Sequence, residues 1–202
     1  MSPSSLHSLL NSKQYICENC LKKLDPIFME FKIEDVEGIS IFLYDGFVKD
    51  EIFLYKGCED YELKDIFVQP FKNELRLLFY DYLVVPIPSY IEDDEKRGYN
   101  HTIEIFKALN LAILPCIVKT KNVKQKELNY EERQKIGEVL KFDEKYCIKN
   151  KKILLVDDIV TTGASMTAAI KILKNNGAKK IKILCVAKRI LEKNEKFNHE
   201  KC

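Results

Sequence analysis

The residues best suited to chemistry lie in one short stretch, where two adjacent carboxylates precede a hydroxyl-rich loop. Asp157 and Asp158 follow an aliphatic run that begins at Ile153. An aliphatic pair separates the acids from five small residues, which are Thr161, Thr162, Gly163, Ala164 and Ser165. A buried strand that leads through such a loop into a helix directs backbone N–H groups and the helix dipole towards one concavity. The stretch therefore predicts an anion site, and phosphate is the anion we expect.

Three kinds of phosphate-binding loop occur between a strand and a helix. A Walker loop requires G-x-x-x-x-G-K-[ST] and a dinucleotide loop requires G-x-G-x-x-G, and neither pattern is present here. In the third kind, the hydroxyls of Thr161, Thr162 and Ser165 donate to phosphate oxygens. Gly163 lets the backbone N–H groups of residues 162–165 approach the ligand closely.

The two carboxylates need a different part of the ligand, because like charges repel. Asp157 and Asp158 are suited to sugar hydroxyls, or to a magnesium ion that is bridged by water. A phosphate at one end and vicinal hydroxyls one sugar away describe ribose 5-phosphate. The alternative is that the acids only cap the following helix and that residues 161–165 form a simple turn.

Hydrophobic patterns elsewhere predict strands and helices that alternate from residue 39 onwards. The predicted strands are 39–44, 82–88, 112–118, one that opens at Ile153 and carries the two acids at its carboxyl end, and 181–187. The predicted helices are 47–57, 63–78 with a break at Pro70, 101–109 after the N-cap Asn100, a helix that opens at Asn129 and includes Leu140, and one from the central loop to Gly177. This order predicts an α/β protein with right-handed crossovers and a parallel sheet covered by helices on both faces. Ligands of such sheets bind at the carboxyl ends of the strands.

Two further cationic positions are candidates for the same ligand. Lys56 and Gly57 stand where a helix is predicted to end, although a solvated lysine beside a helix C-cap fits them as well. The chain has 29 lysines and only four arginines, so each arginine is a candidate for bidentate binding of phosphate or carboxylate. Arg97 stands just before the predicted helix 101–109, in a charged loop of the kind that forms surface or a flap.

The N-terminal 38 residues differ from the rest and are predicted to form a small separate segment. Cys17 and Cys20 make one Cys-x2-Cys pair, which is half of a zinc knuckle or ribbon. His7 and Cys58 are further possible ligands, without a convincing spacing. Two ordinary reduced cysteines fit equally well. The main domain is predicted to span 39–190, and residues 191–202 form a polar tail.

The composition is that of an ordinary globular chain. The 202 residues are 46% apolar and 32% charged with a net charge of +2, which demands neither nucleic acid nor a membrane as a partner. No apolar run reaches the roughly 18 residues of a membrane span, and no signal peptide is apparent, so no membrane insertion is expected. Seven scattered cysteines indicate a reducing, cytoplasmic compartment.

The stretch 153–165 resembles the phosphoribosyl-pyrophosphate signature of the type I phosphoribosyltransferases. The resemblance implies a small parallel sheet with a flap and a variable hood. It also implies that Asp157 and Asp158 hold the ribose hydroxyls, directly or through magnesium, and that residues 161–165 hold the 5-phosphate.

The order of the other motifs is similar to that of the ComF competence protein family, over roughly residues 39–190. These motifs are Lys56-Gly57, Val85-Pro-Ile-Pro88, Arg97-Gly98-Tyr99-Asn100, Lys119-Thr120 with Gln125, Leu128 and Arg133, and the last strand. The resemblance implies that Lys56 and Gly57 lie by the pyrophosphate and that Arg97 to Asn100 border the flap. The chain departs from the family pattern at His101, where glutamine is usual, and at Ile136, where asparagine is usual. Ser2 and Ser5 stand where the family has the first cysteine pair of a zinc site.

Three functions follow as hypotheses. The ComF resemblance implies a protein that binds phosphoribosyl pyrophosphate and supports DNA uptake in natural transformation, with single-stranded DNA or DNA-uptake proteins as partners. Lysines at 119–126 and 149–152 could track a phosphate backbone, or could be an ordinary solvated face. The alternatives are an active phosphoribosyltransferase that releases pyrophosphate, and a non-catalytic sensor of the same ligand.

Overall fold

A five-stranded sheet forms the centre of the protein. The structure, a computed structural model, describes residues 16–57, 60–89, 94–95, 97–119 and 140–190. The strands are β1 (Met29–Ile33), β2 (Val36–Leu43), β3 (Leu83–Pro86), β4 (Ile117–Lys119), β5 (Leu140–Phe142), β6 (Lys152–Val160) and β7 (Lys180–Lys188). The order in the main sheet is β1-β2-β7-β6-β3, and every neighbouring pair is parallel except β1 with β2. The predicted parallel sheet is confirmed, with one antiparallel strand added at its edge.

Helices cover both faces of this sheet, as predicted. They are α1 (Glu18–Leu24), α2 (Gly46–Gly57), α3 (Lys64–Phe67), α4 (Lys72–Leu78), α5 (His101–Phe106) and α6 (Ala164–Asn175). Side chains of α1 to α5 pack with Leu154 and Val156 in one hydrophobic cluster, while α6 packs with Ile153 and Leu155 in the other. Successive strand residues point to opposite faces, so the fully buried run 153–156 supplies both clusters.

The sheet extends across the proposed boundary after residue 38. β2 begins at Val36, and β1 pairs along it as a hairpin. Phe31 of β1 lies directly over Gly38 of β2, where a Cβ atom would be 2.6 Å from the Phe31 ring. A side chain at 38 would therefore have to displace the Phe31 ring that packs on this strand. Alternating exposure along β1 marks it as a half-exposed edge strand.

The region after residue 110 differs from the sequence prediction. The expected strand 112–118 is wrong as one unit, because only Ile113 bridges to Val84 of β3. Pro115, which cannot donate to a ladder, separates this bridge from β4. β4 instead pairs antiparallel with β5 in a small second sheet, so Leu140 lies in a strand and not in a helix. The predicted capping box at Asn129 lies outside the described residues.

No helix in the described part of the chain is long and apolar enough to cross a membrane.

Candidate functional site

The carboxylate pair lies where β6 extends beyond the end of the neighbouring strand β3. β3 pairs with β6 as far as Pro86 opposite Val156, and the Ile87 N–H then donates to the Val156 carbonyl at 2.9 Å. Two prolines, at 86 and 88, carry the chain away from the sheet at this point. β6 continues to Val160 alongside β7. Asp157 and Asp158 therefore border a notch at the carboxyl edge of the sheet, which is where α/β sheets bind ligands.

The loop after β6 has the backbone geometry of an anion cradle. Gly163 takes a left-handed conformation (φ 79°), and α6 begins at the next residue. The first turn of α6 contains no acidic residue, and its first N–H groups precede the first helical bond, from the Thr167 N–H to the Gly163 carbonyl at 2.8 Å. Thr161 and Thr162 are exposed beside these groups. The 12-residue helix thus places its positive dipole end next to two exposed hydroxyls, and the Oγ1 atom of Thr162 accepts from the Ala164 N–H at 3.4 Å.

Gly163 also fixes how close the loop lies to the sheet edge. A Cβ atom at this position would be 3.0 Å from Cδ1 of Ile33, the last residue of β1. Both the positive φ and the close approach favour glycine. The end of the antiparallel edge strand, which lies in the predicted N-terminal segment, therefore packs against the loop at Gly163.

Asp158 is buried and held by two basic side chains from the helical layer. Its side chain forms an ion pair with Lys56 at the end of α2, and its Oδ2 atom lies 2.6 Å from Nε2 of His101 in α5. Burial opposes ionisation of Asp158, but the charges of Lys56 and His101 outweigh it and lower its pKa. Burial likewise disfavours protonated His101, and the Asp158 carboxylate overcomes this and raises the pKa of His101.

Asp157 has a different environment although it is the next residue. It continues the face of Ile153 and Leu155, opposite to Asp158, and it is partly exposed. Its Oδ1 atom accepts a hydrogen bond of 2.9 Å from the Asp158 N–H. Burial and the neighbouring Asp158 charge raise the pKa of Asp157 to about 7. The two neighbouring acids therefore differ in environment, because Asp158 is buried and ion-paired whereas Asp157 is partly exposed.

A second ring of polar residues surrounds His101. The Arg97 Nη1 atom lies 3.1 Å from Nδ1 of His101 and 3.3 Å from Oδ1 of Asp94. Asn100 caps α5 by accepting from the Ile103 N–H at 2.9 Å, as predicted, and its amide donates to Asp94 and Ser89. The loop that precedes α5 is therefore connected to the carboxylate edge through His101.

These residues do not form a divalent-cation site on their own. No group of three or more His, Cys, Asp or Glu side chains that could hold a metal occurs in the described ranges. Asp158 is already neutralised by Lys56 and His101. Mg²⁺ usually keeps several waters and binds through one or two carboxylates together with substrate phosphates. The arrangement thus fits a magnesium ion only if the ligand supplies most of the coordination.

The cysteine pair lies at the start of α1. Cys17 caps α1, and its sulfur accepts from the Cys20 N–H at 3.3 Å. That hydrogen bond lowers the pKa of Cys17, and the bonded Cys17 sulfur raises the pKa of Cys20. Two thiols supply only half of a structural zinc site. Ser2, Ser5, His7 and Cys58 lie outside the described residues, so the zinc site stays a prediction.

The structure brings several of the sequence candidates together and adds others. Lys56 contacts Asp158 directly, and Gly57 follows it as the last residue of α2 without a positive φ. Arg97 contacts His101, which in turn contacts Asp158. His101 itself was noted only as a departure from a motif, and Asp94 was not singled out. The sequence signal that could have identified His101 is its place in the first turn of a predicted helix, directly after the capping asparagine.

Comparison with known proteins first shows the class of protein to which this chain belongs. A model of the phosphoribosyl transferase domain matches residues 116–201, which include the acids and the loop. A solved adenine phosphoribosyltransferase of Saccharomyces cerevisiae is 15% identical, covers 85% of this chain and 89% of its own, and has a TM-score of 0.47. The matched domain and the mostly parallel, helix-covered sheet together show that the protein has the type I phosphoribosyltransferase fold.

The family follows from a closer relative. The competence protein ComFC of Streptococcus pneumoniae is 31% identical over 173 residues, which are 82% of this chain and 77% of that protein. The chain belongs to the ComF competence protein family. A shorter match, 46% identical over 39 residues, is to a ribose-phosphate pyrophosphokinase of Methanobrevibacter smithii and covers 13% of that enzyme.

Proposed function

We propose that this protein binds phosphoribosyl pyrophosphate at the carboxyl edge of its sheet and serves DNA uptake in natural transformation. The loop 161–165 holds the 5-phosphate. Asp157 and Asp158 face the ribose hydroxyls. Lys56 neutralises the pyrophosphate, and magnesium arrives with the ligand. The cytoplasm, where this ligand is made and used, is the proposed compartment.

One observation carries the ligand assignment. The acid pair Asp157 and Asp158 and the left-handed Gly163 lie within one stretch of seven residues at the end of β6, where a long helix begins. The glycine at the helix start favours an anion and the acid pair disfavours it. A ligand that satisfies both must place a phosphate and hydroxyl groups a few ångströms apart, as a phosphorylated sugar does. The ion pair of Lys56 with Asp158 adds a cation beside the same acids.

Equilibrium binding of phosphoribosyl pyrophosphate with magnesium tests the assignment. We expect saturable binding by the wild type and clear weakening in Thr161→Val/Thr162→Val, which removes two exposed hydroxyls. Lys152→Gln is a matched control, because Lys152 pairs with Asp81 at the amino end of β6. Absence of binding by the wild type would refute the site.

Two activities are compatible with the bound ligand. Pyrophosphate release against a panel of bases and amines distinguishes a phosphoribosyltransferase from a protein that only senses the ligand. In the enzyme, an amine would attack the anomeric carbon as pyrophosphate leaves, and the nearby carboxylates would stabilise the positive charge that develops on the sugar. Binding without acceptor-dependent release would leave the non-catalytic role.

A group of lysines at the opposite edge supports a nucleic-acid partner. Two backbone hydrogen bonds, Asn150 N–H to the Gly177 carbonyl and Lys179 N–H to the Lys151 carbonyl, tie two loops together there. The lysines on these loops and at the start of β7 are exposed, and no ion pair joins them to any other described residue; they are Lys149, Lys151, Lys179 and Lys180. We call this group the amino-edge lysines. It lies roughly 20 Å along β6 from the acids, at about 3.3 Å per residue.

A salt titration of single-stranded DNA binding tests this second role. Replacing the four amino-edge lysines with glutamine should weaken binding and reduce the slope of log K against log salt by about 3, at roughly 0.7 per phosphate contact. Lys174→Gln/Lys182→Gln is the control, because both lysines already pair with acids. Equal salt slopes in the two variants would exclude this surface as the DNA contact.

A further inference from the structure

An exposed aromatic ring, that of Tyr80, lies at the amino edge of the sheet. The Tyr82 N–H donates to the Phe79 carbonyl at 3.0 Å and closes a tight turn between α4 and β3. Phe79 and Tyr82 are buried and pack edge to face, with ring centroids 5.7 Å apart. Tyr80 therefore lies at the tip of the turn, where it is 72% exposed. No hydrogen bond or ring contact joins Tyr80 to another residue that the structure describes.

This turn lies beside the amino-edge lysines. Lys152 at the start of β6 pairs with Asp81 of the turn and stands opposite Lys180 in the ladder with β7. The hydrogen bond with Asp81 raises the pKa of Lys152, and the nearby Tyr80 contributes in the same direction. The strands β3, β6 and β7 are neighbours about 4.8 Å apart, so the turn is roughly 10 Å from the start of β7. Tyr80 and the amino-edge lysines thus share one surface.

The charges of this surface indicate what kind of partner would cover the ring. Asp81, the acid of the turn, is already neutralised by Lys152, whereas the amino-edge lysines pair with no described acid. A protein partner or a second copy would have to cover these lysines, and lysine is depleted in the buried core of protein interfaces. Single-stranded nucleic acid suits both features, because cations contact its phosphates while aromatic rings stack on its bases.

We propose that Tyr80 stacks on a base of single-stranded DNA whose phosphates lie along the amino-edge lysines. The inference rests on the proposed role in DNA binding and adds a means of distinguishing a single strand from a duplex. In a duplex the neighbouring base pairs already cover the faces of each base. An unpaired base offers its face to the ring, and stacking tolerates any base because every base has a π-face. Tyr80 therefore favours single strands without reading their sequence.

Binding of a labelled single-stranded oligonucleotide to Tyr80→Ala tests the inference. We expect a loss of affinity of about tenfold, whereas Tyr80→Phe, which keeps the ring, should stay within about twofold of the wild type. The slope of log K against log salt should be unchanged in Tyr80→Ala, because no phosphate contact is removed. Affinity for a duplex of the same sequence should change by less than about twofold.

Phe53→Ala is the matched control. Phe53 is a comparably exposed ring, but it lies against Gly57 at the end of α2, near the acids and away from the amino-edge lysines. This variant should bind single-stranded DNA as the wild type does. Tyr80→Ala should keep the wild-type Tm and its binding of phosphoribosyl pyrophosphate, because the ring is exposed and the amino edge is roughly 20 Å from the acids.

Three results would overturn the stacking role of Tyr80 alone. They are equal single-strand affinity in Tyr80→Ala and the wild type, a changed salt slope in Tyr80→Ala, and a wild-type mass that rises with concentration only while Tyr80 is present, which would assign the ring to a contact between copies. The lysine variant of the previous section would still report the DNA surface in each case. Failure of the wild type to bind single-stranded DNA would refute the proposed DNA role, and base stacking with it.

Discussion

Replacing Gly163 with alanine tests the loop geometry on which the site depends. The left-handed conformation (φ 79°) costs a residue with a Cβ atom about 1–2 kcal/mol. The new Cβ would also lie 3.0 Å from Cδ1 of Ile33, and turning that side chain off its rotamer adds about 0.5–1 kcal/mol. The sum is about 2 kcal/mol. At roughly 2–4 °C per kcal/mol for a chain of this size, Tm should fall by about 4–8 °C.

Gly177→Ala is the matched control at the other end of α6. Its φ is 78°, so the backbone cost is the same, but its Cβ would come no closer than 3.4 Å to any neighbour, at Cγ of Lys149, with the Lys149 Cα atom at 3.6 Å. We expect Tm to fall less than in Gly163→Ala, at the same rate of about 2–4 °C per kcal/mol lost. Binding of phosphoribosyl pyrophosphate should be unchanged. Gly163→Ala should lose both stability and binding. Thermal melts with paired binding assays measure this, and wild-type stability in Gly163→Ala would refute the geometry.

Three other predictions concern the residues around the acids. Asn100→Ala removes the cap of α5 and should cost about 1 kcal/mol in urea unfolding, and an unchanged midpoint would argue against the cap. Tyr55→Phe leaves the buried His101 carbonyl without its donor and should cost about 1 kcal/mol; equal stability would mean that the bond is dispensable. Asp158 raises the pKa of His101 in the folded protein. The stability advantage of the wild type over His101→Gln should therefore be largest below pH ~6.5 and should shrink as the pH rises through the folded pKa. Thermal melts across pH ~5.5–8.5 measure this difference. A difference that grows with pH would contradict the pairing.

The sequence predicted the centre of the molecule better than its margins. The run 153–156 is apolar on both faces, which favours a buried strand, and the helix expected to stop at Gly177 ends at Asn175. β1 was missed because an edge strand buries only alternate residues, and Met29–Ile33 carries two charges. β5 was missed because three residues are too few for a periodic pattern, so Leu140 was assigned to the preceding helix.

The part of the candidate site that lies in one continuous stretch of sequence was predictable. The acids and the loop are contiguous, so one motif described both. The contact of Asp158 with Lys56 and His101 joins three elements separated by dozens of residues, and no spacing rule reports such a meeting. The different environments of Asp157 and Asp158 are likewise tertiary, because strand alternation places them on opposite faces.

Displacement of bound phosphoribosyl pyrophosphate by ribose 5-phosphate tests the central claim most directly. If the loop 161–165 holds a sugar phosphate and the acids face the ribose, ribose 5-phosphate should compete at one site. Thr161→Val/Thr162→Val should weaken ribose 5-phosphate more than it weakens pyrophosphate. A wild type that binds phosphoribosyl pyrophosphate but is displaced by pyrophosphate alone would contradict the division of the site into a phosphate loop and a sugar-facing acid pair.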